Sequence, residues 1–142
     1  MKKVFLLLIL FYTTMTQAQN PFLENYKTPH GTPPFDKIKL EQFEPAILEG
    51  MNQEIAEIDA IVNNQDEPTF ENTILALEKS GVLLEKVTSV FGNLLSAETN
   101  DEMQALAQKL MPLLSEHSNN ISLNKNLFEK VKLNVRRIQG IN

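Results

Sequence analysis

Two imidazoles, His30 in a proline-rich stretch and His117 far downstream, occur among the 142 residues, and no cysteine accompanies them. Hydrolysis of a peptide or ester needs an activated nucleophile or a metal-bound water, and each demands particular side chains brought together. No H-E-x-x-H is present to set two imidazoles on one helical face around a zinc ion. Glu116 beside His117 does not help, because adjacent helical residues diverge. The E-x-x-H pairs of a carboxylate-bridged dimetal site are missing as well. Serines and aspartates occur, but no G-x-S-x-G elbow singles one out, and there is no glycine-rich phosphate cradle. Glu41, Glu44, Glu49, Glu54, Glu57, Glu71, Glu78 and Glu85 mostly alternate with apolar positions and read as solvated faces. The N-I-S at Asn120 to Ser122 fits a glycosylation acceptor pattern and receives no role. His117 reads as a partly buried helix-face histidine and His30 as a loop residue. The sequence therefore assigns no catalytic, cofactor-binding or metal-ligating residue.

The elements around these residues are helical. Leu40, Phe43, Ile47, Met51, Ile55, Ile58 and Val62 recur at steps of three or four, which predicts an amphipathic helix. Pro45 belongs in the first turn of its main part, with one preceding turn at Leu40 to Phe43, since proline is tolerated only at a helix start. Asn63 to Pro68 is a polar breaker, and Thr69 is placed to cap a second helix that carries Phe70, Ile74, Leu77, Leu84, Val87, Phe91 and Leu94. This helix has a stripe broad enough to be central. Gly81 in its interior implies the close approach of another helix. Thr99 to Glu102 reads as a T-x-x-E capping box opening a third helix near Asn100, with Met103, Leu106, Leu110, His117 and Ile121 on one face and Pro112 expected to bend it. Leu127, Phe128, Val131, Val135 and Ile138 form a fourth pattern, with no recognisable cap at its end. No strand pattern, internal repeat or low-complexity tract appears. The expected fold class is all-α, with about four amphipathic helices.

The chain opens with Lys2 and Lys3, an apolar block from Val4 to Tyr12, and small residues at Thr16 and Ala18. That is the pattern of a secretory signal peptide cut after Ala18, because the block is far shorter than the roughly 20 residues of a spanning helix. Residues 1–18 are assigned to the leader, 19–38 to a proline-rich extended segment, and 39–142 to the helical portion. The product is expected to be exported, periplasmic or extracellular, with no membrane association after cleavage. Eighteen acids against 13 bases give a net charge of −5, which repels phosphate backbones and argues against a nucleic-acid partner. Arg136 and Arg137, with Lys130 and Lys132 upstream, are too few for a nucleic-acid footprint and read as a solvated helix face.

Five blocks in order carry a resemblance: NPFLENYKTPHGTPPFDKI from Asn20, AEIDAIVNN from Ala56, PTFENTILALEKSG from Pro68, VFGNLLSAETND from Val90 and NISLNKNLFEKV from Asn120. Together they resemble the N-terminal region of the peptidyl-dipeptidases in the thimet oligopeptidase and neurolysin family of zinc metallopeptidases. The resemblance implies the helical outer wall of a neurolysin-like channel within an enzyme of several hundred residues. It implies one zinc ion in the full-length enzyme, held far downstream by an H-E-x-x-H helix and a later glutamate. It also implies an oligopeptide substrate that loses dipeptides from its C-terminus. None of those ligands can be transferred to a residue of this sequence, so no cofactor is assigned to the chain itself.

After Val131 the text KLNVRRIQGIN departs from the family pattern. The leading expectation is an N-terminal, truncated piece of an exported peptidyl-dipeptidase, inert alone, whose partner is the missing C-terminal part of the enzyme or another helical surface. The alternative is a stand-alone secreted helical interaction module or dimer without catalysis. A regulatory variant would dock onto a full-length relative.

Overall fold

The computed structural model describes residues 20–140; the predicted leader, Gln19, Ile141 and Asn142 lie outside the described residues. Four long helices dominate: α1 (Phe43–Asn63), α3 (Val82–Ala97), α4 (Asp101–Ser122) and α5 (Lys125–Gln139), with a short α2 (Ala76–Glu78) between the first two. Among the described residues there is no strand, and the all-α expectation holds.

Each boundary has a local cause. A 3-10 turn at Leu40–Gln42 feeds directly into α1, and Pro45 sits in its first turn, where the missing N–H would have had no helical partner. The Thr69 hydroxyl accepts from Asn72 N at 3.1 Å while Asn72 Oδ1 accepts from Thr69 N at 2.7 Å, a reciprocal cap that starts a π-helical turn at Phe70–Leu75. The expected capping box at Thr99 does not form. Asn100 is the cap instead, its Oδ1 accepting from Met103 N at 2.8 Å, which starts the helix one residue later than a Thr99 cap would. Asn124 caps α5 in the same way, and Gly140 closes it in a left-handed conformation with Arg136 and Arg137 in the last turn. The fourth helix therefore is capped, contrary to the sequence reading.

The second helix is not continuous. Gly81 has φ of 72°, so the chain breaks after Glu78 and restarts as α3 at Val82. The helix–helix approach that the sequence placed at Gly81 occurs at Gly50. A Cβ there would lie 2.8 Å from both the Cα and the N of Leu84, so α1 and α3 cross backbone to backbone. α4 runs through Pro112 without interruption.

The main core joins α1, α3 and α4 through Phe43, Ile47, Val87, Phe91 and Leu110, all nearly inaccessible. A second cluster, Ile58, Ile61 and Leu127, seats α5 against the far end of α1. The proline-rich segment contributes as well. It contains 3-10 turns at Pro21–Leu23 and Pro29–Gly31, and Phe22 is fully buried. The Phe22 ring lies 4.9 Å from that of Phe43, which lies 5.1 Å from that of Phe91. Asn20 donates to Gln42 O at 2.8 Å, and Lys86 Nζ donates to Phe22 O at 2.8 Å and Glu24 O at 2.6 Å while lying 4.0 Å above the Tyr26 ring. Burial holds Lys86 below the ordinary lysine range and pushes the Tyr26 hydroxyl above its own.

Candidate functional site

The described residues bring one pair of titratable side chains together inside the helical body. α1 presents Glu54 and Glu57, one turn apart, toward the Gly81 break and toward α4. Glu57 accepts the Gly81 N–H at 2.8 Å, serving one of the donors that a helix start leaves unpaired. Glu54 Oε2 lies 2.7 Å from His117 Nε2, and the imidazole is 5% exposed. Nε2 is the ring nitrogen that faces the carboxylate. Gly81 makes the arrangement possible, because a Cβ there would fall 2.6 Å from Glu54 Oε1. Glu54, Gly81 and His117 line a cleft of about 460 Å³.

His117 thus proves more deeply buried than its helical position alone suggested. The solvated-face reading is corrected at Glu54, which holds the buried His117. Glu57, which holds the Gly81 amide, is exposed, and Glu44 pairs with Lys109 at 2.6 Å on the surface. Glu41, Glu49, Glu71, Glu78 and Glu85 do lie on exposed positions. Glu116 is exposed, and the His117 imidazole pairs with Glu54 instead. His30 is an exposed turn residue with φ of 58°. Asn120 and Ser122 fall in the last turns of α4.

The residues present do not fit a zinc ion. Among the described residues no three His, Asp or Glu side chains converge, and the Nε2 of His117 is already committed to Glu54. No serine hydroxyl bonds the imidazole either, so the pair orients a histidine without activating a nucleophile. The arrangement satisfies a buried imidazole and ties α1 to α4. No spacing in the sequence could reveal it, because the partners are 63 residues apart.

No family model matches the chain. The dipeptidyl carboxypeptidase of Escherichia coli (strain K12) is 49% identical over 114 residues, which is 80% of this chain and 17% of that protein. The dipeptidyl carboxypeptidase of Salmonella typhimurium is 47% identical over the same span. Oligopeptidase A of Haemophilus influenzae is 34% identical over 98 residues, or 69% of this chain and 14% of that protein. These matches agree with the resemblance that the sequence blocks carry: the chain is similar to dipeptidyl carboxypeptidases at 47–49% identity and to oligopeptidase A at lower identity. The chain spans about one sixth of the length of these relatives, a coverage consistent with an N-terminal piece of such a protein.

Proposed function

We propose that this chain supplies the N-terminal helical wall of an exported, zinc-dependent dipeptidyl carboxypeptidase and performs no catalysis alone. The observation that carries the reading is the identity of 47–49% over 80% of the chain against only 17% of each relative. The resemblance assigns the zinc and its activating glutamate to an H-E-x-x-H helix, and these 142 residues contain no such motif. Export is supported by the Lys2 and Lys3 start, the short apolar block and the small residues before Gln19. Among the described residues no helix is long and apolar enough to cross a membrane. Exposed Leu123, Phe128, Val135 and Ile138 give the helical body apolar surface that a larger protein would cover.

A chimera tests the assignment. Residues 20–131 of this chain replace the matched stretch of the E. coli relative, and dipeptide release from a blocked oligopeptide is measured. Retained release with zinc bound is the expected result. A chimera that folds and binds zinc yet releases no dipeptide would overturn the assignment of this chain as the enzyme's wall.

A further inference from the structure

We propose that the outer face of α5 is a docking surface for an acidic amphipathic helix supplied by the remainder of the larger protein. The proposal rests on the reading of this chain as one wall of that protein, and it adds the chemistry of what the wall meets. α5 is seated by one face only. Leu127 and Asn134, nearly inaccessible and two helical turns apart, form the row that packs inward, Leu127 against Ile58 and Ile61 of α1. Lys130 donates to Asn64 O and Arg137 to Pro68 O at 3.4 Å, which fixes the helix to the body. The adjoining row is left to solvent. Phe128 is 59% exposed, Val135 41% and Ile138 66%, and their helical spacing makes one stripe of them.

Charge decides what covers this stripe. Both arginines of the chain lie on α5, which holds five basic residues against Glu129 alone, whereas residues 20–124 hold 17 acids against six lysines. Lys125, Lys132 and Arg136 recur at helical spacing beside the stripe, and Lys132 Nζ lies 5.8 Å from the centre of the Phe128 ring. Its pairing with Glu129 at 3.3 Å is half exposed and weak enough for a partner's carboxylate to replace. An apolar seam edged by cations is complementary to a helix whose apolar side chains are edged by carboxylates. A second copy docked through the same face would set these cations against their own duplicates. An anionic bilayer would attract α5 and repel the acidic body behind it, whereas a single helix engages α5 alone. The matched stretch is 17% of each dipeptidyl carboxypeptidase, so most of such a protein is available to supply that helix.

The purified chain is titrated with a dye-labelled peptide of about 15 residues, the length of a matching helix of about 22 Å, with leucines at helical spacing edged by glutamates. Fluorescence anisotropy at low salt reads the binding. Saturable binding is expected, about tenfold weaker when lysines replace the glutamates and weaker again as salt is raised. Phe128→Ser should weaken it about tenfold, through the loss of one buried aromatic anchor. Lys132→Glu combined with Arg136→Glu should reverse the preference in favour of the lysine peptide. Phe128 and Arg136 are exposed, so these variants should keep the helical circular dichroism of the parent, and Phe35→Ser, exposed elsewhere, should leave binding unchanged. Equal affinity for the two peptides, unchanged affinity in Phe128→Ser, a dimer mass that Phe128→Ser abolishes, or sedimentation with phosphatidylglycerol vesicles that Lys132→Glu abolishes would each overturn the proposal. The chimera reads the wall separately: dipeptide release without peptide binding would overturn this face alone, and peptide binding without release would overturn the wall while the face for an acidic helix stands.

Discussion

His117 and Glu54 meet at 2.7 Å across 63 residues of chain, and the turn at Gly81 exists in a form that lets them do so. The pair fastens the C-terminal half of α4 to the middle of α1. It also accounts for one of the chain's two imidazoles by burial instead of chemistry.

Removing either partner leaves the other stranded in a largely desolvated position. His117→Ala is expected to cost about 1–3 kcal/mol, the range for orphaning a buried hydrogen-bonding group. A double-mutant cycle with Glu54→Gln, read by urea unfolding, should show the two losses to be non-additive. Additive losses would mean that the contact carries no energy.

The glycines separate by what surrounds them. Gly50→Ala forces a Cβ to 2.8 Å from the Leu84 backbone, and overpacking of this kind costs about 1–3 kcal/mol. Gly92 in α3 has nothing within 4 Å of its virtual Cβ, so Gly92→Ala should be neutral or stabilise by up to about 1 kcal/mol. Thermal melts of the two variants should move in opposite directions or, at the least, differ by several degrees.

Phe22→Ala tests whether the segment that follows the predicted leader belongs to the core. The ring is completely buried against Phe43, and deletion of such a side chain costs about 3–5 kcal/mol. Phe35→Ala, in the same segment but 54% exposed, should change stability little. Equal effects would contradict the described packing.

Tyr26 gives the pH prediction. Burial raises its hydroxyl pKa above 10.0 in the folded state. A phenol whose folded pKa exceeds its unfolded one contributes stability that is fully present below the unfolded value and is lost as pH rises through the folded one. With Tyr12→Phe leaving a single tyrosine, the tyrosinate absorbance should rise at a higher pH in folded than in urea-unfolded protein. The stability of the folded chain should decline over the same alkaline window.

Much of this architecture could be read from spacing. Leu40 to Val62 announced α1, Pro45 marked its first turn, and Thr69 identified a cap, because each is a local signal within one or two helical turns. Local signals also compete with one another. Thr99 and Asn100 both offer an acceptor for an N-terminal amide, and backbone geometry, which composition does not encode, chose Asn100. Apolar periodicity continues across Gly81 and so predicts a helix interior; the left-handed φ that breaks the helix is one that glycine adopts freely, with Glu54 and Glu57 packed beside it. Gly50 carries no local signal, because only the position of Leu84 on another helix makes it necessary. The His117 and Glu54 pair was invisible for the same reason. Resemblance recovered the family, since five punctuated blocks preserve order where single residues carry no tertiary information.

The most direct test uses the purified chain of 142 residues supplied with zinc and an N-terminally blocked oligopeptide. The account predicts no stoichiometric metal by elemental analysis and no dipeptide release. One bound zinc per chain, or release abolished by a chelator, would contradict it.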